Sequence, residues 1–169
     1  MPKHSIHARH HQAIPPEDRL SIPLIKRCVS VSLLLEAADM PCEVNILITD
    51  DDAIRDINNR YRNIDEPTDV ISFPMHEFET PGWEGLDVYE ADPETGYVHL
   101  GDVIVSAHRV AAQAIEYEHS RDHETAYLIA HSILHLLGYD HTDEAEQKKQ
   151  MRDREKTIMK ALGFDENYV

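Results

Sequence analysis

The chain has 169 residues, of which 41% are hydrophobic and 28% charged, with a formal net charge of −16. That length holds one domain with a sizeable core and leaves no room for two comfortable ones. The acidic charge excludes non-specific nucleic-acid binding through a broad basic face. RNA stays open as a substrate where positive charge is local, and Arg55, Arg60 and Arg62 cluster, with no Lys or Arg between Arg62 and Arg109.

The chain opens Met-Pro-Lys-His-Ser-Ile, without the apolar region of a signal peptide. No uncharged run approaches the roughly 20 residues of a membrane span. Cys28 and Cys42 are the two cysteines and form no Cys-x-x-Cys pair, so reduced thiols in a cytoplasmic protein are expected. Residues 1–16 carry His4, His7, His10 and His11. They read as an edge strand around Ser5–Gln12 or a mobile arm, with an accessory metal tail as the functional alternative, and Pro15-Pro16 closes the segment.

Ser21 caps a predicted helix with Pro23 in its first turn, running through Leu24, Ile25, Cys28, Val29, Leu33 and Leu34 to about Ala38. Beyond Pro41, Glu43–Thr49 reads as a strand. Asp50 or Asp51 caps the next helix, whose buried face is marked by Ile54, Ile57 and Tyr61. The triplet Asp50-Asp51-Asp52 is better explained by capping and the helix dipole than by a metal. A turn on Pro67 leads into the short strand Val70–Phe73. Residues 75–97 are rich in Gly, Pro and acid and read as a long irregular loop bordering the site. Leu100–Ser106 returns as a strand, and Ser106 caps a helix to about Tyr117 with Val110, Ala114 and Ile115 inward. His108, His119 and His123 lack ligand spacing.

From Tyr127 to Leu137 the chain has no Gly, Pro or charge, which predicts a helix buried on most sides. His131 and His135 stand four apart and share one face. Gly138 ends the helix in a left-handed conformation, so that His141 swings back to the same point. Three imidazoles then leave a fourth position for water, the arrangement of a catalytic zinc, one per chain. The spacing matches the zinc-protease signature HExxHxxGxxH, but Ser132 stands where the general-base glutamate belongs, so the site reads as metal-binding and not proteolytic.

Asp143 to Glu146 carries the Asp-x-x-Glu signal for a last helix, apolar at Met151, Ile158 and Leu162 and ended by Gly163. Its Lys148, Lys149, Arg152, Arg154, Lys156 and Lys160 read as a solvated face paired with the helix's own acids, with RNA or ribosomal-protein contact as the alternative. Residues 1–169 thus form a single α+β domain, a small mixed sheet flanked by helices, with the metal site on a buried helix and the turn after it.

The segment His131–His141 resembles the H-G-x-L-H-L-x-G-Y-D-H signature of the YbeY family of zinc-dependent endoribonucleases, departing only at Ser132, where the family has glycine. Tyr61–Pro74 resembles a second family signature, Y-R-x-x-D-x-P-T-[DN]-V-L-S-F-P, with Ile71 in place of leucine, and Leu100–Ser106 resembles the L-G-D-I-x-I-S element. The resemblance implies a single-strand-type endoribonuclease of ribosomal RNA maturation, processing small-subunit RNA and serving ribosome quality control. Ribosomal RNA and ribosome or small-subunit proteins would be its partners, with no DNA and no membrane. It also implies that Arg62 is the required arginine, able to fork onto the scissile phosphate, and that His131 belongs to the catalytic centre as well as to the metal. Against this stands a structural salt bridge of Arg62 to Asp65 or Asp69. Asp140 is the candidate for orienting a ligand histidine. No residue presents itself as the general base. Two other functions fit the same residues: another zinc-dependent hydrolase such as a peptidase, or a non-catalytic, zinc-stabilised ribosome assembly factor.

Overall fold

A computed structural model describes residues 2–86, 91–140 and 145–164. Strands β1 (Ser5–His10), β2 (Cys42–Thr49), β3 (Val70–Pro74) and β4 (Val98–Ser106) form one sheet in the order β1-β2-β4-β3. The first two pairings are parallel and β3 runs antiparallel to β4, so the sheet is mixed, as expected. Five helices accompany it: α1 (Ile22–Leu35), α2 (Asp51–Arg62), α3 (Ala107–Glu116), α4 (Arg121–Leu136) and α5 (Ala145–Ala161). None of the described helices is long and apolar enough to cross a membrane.

Strand alternation assigns the faces. Val44, Ile46 and Ile48 of β2 are buried with Val103 and Val105 of β4 under α1 and α4, while Asn45 and Leu47 between them are only half-buried. The fully buried Ile129, Ile133, Leu134 and Leu136 belong to the same core, each worth roughly 1.5–3 kcal/mol of transfer free energy. Parallel neighbours need long crossovers, and α1 and α2 lie in the two that link β1 to β2 and β2 to β4. Burial pushes the Cys28 and Cys42 thiols up to about 12, which keeps them protonated and unreactive.

The N-terminal histidines are partly structural. His4 Nδ1 accepts the Cys42 N–H at 3.0 Å and His10 Nε2 accepts the Leu20 N–H at 2.9 Å. Burial lowers the pKa of both rings, which favours the neutral acceptor form these bonds need.

Several boundaries and faces differ from the sequence expectations. α1 stops at Leu35 rather than Ala38, because Ala37 takes a left-handed φ of 58°. α4 begins at Arg121, six residues before its apolar run, with the Ser120 hydroxyl accepting the His123 N–H at 3.0 Å. Tyr61 is not buried but 63% exposed; Asn58 takes the inward position because its amide donates to the Glu66 carbonyl at 2.9 Å. Ile115 also faces out: Val110 and Ala114 set the stripe of α3, and the next residue lies about 100° round the helix. The predicted cap at Asp143 lies outside the described residues.

Gly101 is the least replaceable backbone position in the sheet. Glu43 pairs with His99 and Val44 with Gly101, so β4 carries Leu100 as an extra residue and bulges there. At φ +145°, a Cβ on Gly101 would come within 2.2 Å of the Phe73 carbonyl oxygen across the β3 pairing. Gly101→Ala is therefore expected to destabilise the domain by about 2–4 kcal/mol, read as a melting temperature lower by roughly 5–15 °C in a thermal scan.

Candidate active site

α4 carries the histidines because its sequence packs it centrally against α1, α3, α5, β3 and β4. Its end is a hydrogen-bonded reversal: the Gly138 N–H donates to the His135 carbonyl and the Tyr139 N–H to the Leu134 carbonyl, both at 3.0 Å, with Gly138 at φ +90°. The loop after β3 docks on this reversal. The Gly82 N–H donates to the Leu137 carbonyl at 2.9 Å, and Trp83 Nε1 anchors the loop to Asp39 at 2.6 Å.

The reversal returns the Tyr139 carbonyl over His135, where it accepts from Nδ1 at 3.0 Å. A carbonyl only accepts, so Nδ1 of His135 carries a proton. Across the helix, Nδ1 of His131 meets Oε2 of Glu155 from α5 at 2.6 Å. The remaining ring nitrogens, Nε2 of His131 and Nε2 of His135, face one another at 3.1 Å. With both protons on Nδ1, two lone pairs point at one spot, an arrangement that a cation between them satisfies. Two nitrogens bound ~2.0–2.1 Å from a tetrahedral zinc stand about 3.3 Å apart, so the pair fits that ion. His141 lies outside the described residues, and among these no three His, Cys, Asp or Glu side chains make a metal cluster.

Among the described residues, Glu155 and the Tyr139 carbonyl hold the Nδ1 atoms of His131 and His135; Asp140 is exposed and lies beside His141, which is outside the described residues. Ser132 is fully buried, its hydroxyl bonded to the Leu128 carbonyl at 2.7 Å, so it fits the helix and faces away from the histidine cleft. Arg154, expected in a solvated face, instead donates through Nε to Glu36 at 2.6 Å and through Nη2 to the Leu35 carbonyl at 2.9 Å, tying α5 to the end of α1. His119 and His123 stack with ring centroids 4.1 Å apart, and His119 Nε2 pairs with Glu124 at 2.6 Å. Parallel rings do not converge on a shared point.

Arg62 meets the histidines in one cleft. A cavity of about 450 Å³ is lined by Arg62, Thr68, Asp69, Val70, Ile71, Ser72, Pro74, His131 and His135. Arg62 is the last residue of α2, and Asn63, left-handed at φ 57°, closes the helix beyond it. The two carboxylates weighed as salt-bridge partners for Arg62, Asp65 and Asp69, have other partners. Asp65 takes Arg55 at 2.8 Å, which holds the Asp65 carboxyl below its ordinary range through the hydrogen bond and the charge of Arg55. Asp69 accepts from its neighbour's Val70 N–H at 2.7 Å and from Gln113 Nε2 at 3.1 Å. Sequence reasoning missed Glu155 and Gln113; Glu155 had a signal, a charge on the apolar stripe of α5.

Comparison with known proteins gives a consistent result. The family model described as Endoribonuclease YbeY matches residues 6–163. A protein called Endoribonuclease YbeY from Agathobacter rectalis is 49% identical over 140 residues, 80% of this chain and 84% of that one. One of the same name from Roseiflexus sp. is 41% identical over 161 residues, 90% of this chain and 91% of that one. The solution structure of TM1509 from Thermotoga maritima shares the fold at a TM-score of 0.59, with 24% identity, 93% of this chain and 88% of that one covered.

Proposed function

Since this chain belongs to the endoribonuclease YbeY family, we propose that its cleft cuts single-stranded ribosomal RNA with one zinc ion held by His131, His135 and His141. The observation that carries the metal is the 3.1 Å convergence of two Nε2 atoms whose Nδ1 positions are bound elsewhere, in a cleft that Arg62 also lines. The reaction is hydrolysis of an RNA phosphodiester. Small-subunit ribosomal RNA as substrate, contact with small-subunit proteins, a part in ribosome quality control and residence in the cytoplasm complete the proposal, on the strength of the family.

A scissile phosphate entering the cleft would meet a guanidinium on one side and the histidine pair on the other. Arg62 supplies donors in a planar fork that matches two phosphate oxygens and strengthens as charge grows on them. His131 and His135 act as neutral ligands whose rings are fixed from behind, so their nitrogens need little rearrangement. When bound, zinc supplies a Lewis acid for phosphoryl oxygen and for water. Local positive charge at Arg62 also offers a docking point on a chain whose net charge of −16 repels RNA elsewhere.

Metal analysis of the purified protein, followed by incubation with a small-subunit ribosomal RNA fragment or with casein, tests this function. RNA cleavage that a chelator abolishes and zinc restores is the expected result, with casein untouched. Casein hydrolysis without RNA cleavage would establish a peptidase instead. Zinc-loaded protein that cuts neither would establish the assembly-factor role.

A further inference from the structure

Glu155 occupies a position where helix packing calls for an apolar side chain. α5 packs on α4 and α1 and buries Met151, Ile158 and Met159, and Glu155 lies on the same stripe, four residues after Met151 and three before Ile158. It is 6% exposed. A carboxylate buried to that degree costs free energy unless a partner holds it. The partner is Nδ1 of His131, at 2.6 Å from Oε2.

We propose that Glu155 is a positioning residue for the metal centre, a role that rests on His131 and His135 being metal ligands. Its carboxylate keeps the His131 proton on Nδ1, aims Nε2 at the point that His135 Nε2 also faces, and makes the ring a better electron donor. The adjacent Arg154 anchors the same turn of α5 to Glu36 at the end of α1.

A carboxylate that only tied α5 to α4 would affect stability and leave metal affinity alone. Three variants separate the cases: Glu155→Gln, which keeps shape and an acceptor oxygen but loses charge; Glu155→Ala; and Met151→Ala, which weakens the same helix contact away from the ring. The readouts are zinc affinity by competition with a chromophoric chelator, the visible absorption of cobalt-substituted protein, and the melting temperature without metal. Both Glu155 variants should bind zinc 10- to 100-fold more weakly and shift the cobalt spectrum, whereas Met151→Ala should melt earlier with affinity unchanged within about twofold. Folded Glu155→Gln with wild-type affinity and spectrum would overturn the role, even if Glu155→Ala failed to fold. Wild-type protein that binds no zinc, or His135→Ala that binds it normally, would instead overturn the metal site itself.

Discussion

Arg62→Ala is expected to keep its fold and its zinc and to lose RNA cleavage on the order of 10²-fold or more, about 2.7 kcal/mol of transition-state stabilisation. The side chain is exposed at the end of α2, so its removal forfeits at most a few tenths of a kcal/mol of helix-dipole interaction. Asp65 and Asp69, the two acids a structural salt bridge would need, are engaged by Arg55 and Gln113. Arg62→Lys preserves the charge but not the planar two-point contact, and it should fall nearly as far. The loss should sit in kcat, with KM moving less, because RNA binding is spread over several contacts. Single-turnover cleavage of an RNA fragment measures this directly. A wild-type rate in Arg62→Ala would remove the phosphate fork from the mechanism, and loss of zinc or of fold would restore the salt-bridge reading.

His135→Ala should lower zinc from about one per chain to a small fraction of that, and cleavage with it. Two things vanish together in this variant: the nitrogen facing His131 at 3.1 Å and the Nδ1 bond that holds the Tyr139 carbonyl over the helix end. His131→Ala should behave likewise, whereas His7→Ala on the exposed side of β1 should retain full metal. Elemental analysis after dialysis reads all three. Unchanged zinc in His135→Ala would refute the ligand assignment.

The helix that carries His131 and His135 was legible in the sequence because an apolar run, two histidines at helical spacing and a terminal glycine are all local signals. Their meeting with Arg62 was not local. It depends on β3 returning antiparallel beside β4, which leaves no periodic trace. Tyr61 lies seven residues after Ile54 and so shares its face, yet at the helix end it is largely exposed and meets Phe73 edge-on at 5.3 Å. Asn58 was passed over as polar, although a buried amide with a carbonyl partner serves as well as a side chain of carbon. Arg154 looked like one more cation on a charged helix, since nothing in its sequence neighbourhood announces the buried Glu36 at the far end of α1.

The two sides of the cleft rest on unequal foundations. α4 is enclosed by three helices and two strands, so residues such as Ile133 and Leu134 lose their solvent protection only when the whole domain unfolds. The opposite side, from Arg60 to Glu66, is exposed throughout and held by a few bonds such as Asn58 to the Glu66 carbonyl. With so few buried contacts, this side should open at a small part of the global free energy, and on the proposed function that would let Arg62 follow strands of differing shape while His131 and His135 stay fixed. Core mutations would for the same reason act on abundance before chemistry: a weakened domain supplies fewer folded molecules, each with its histidine geometry intact.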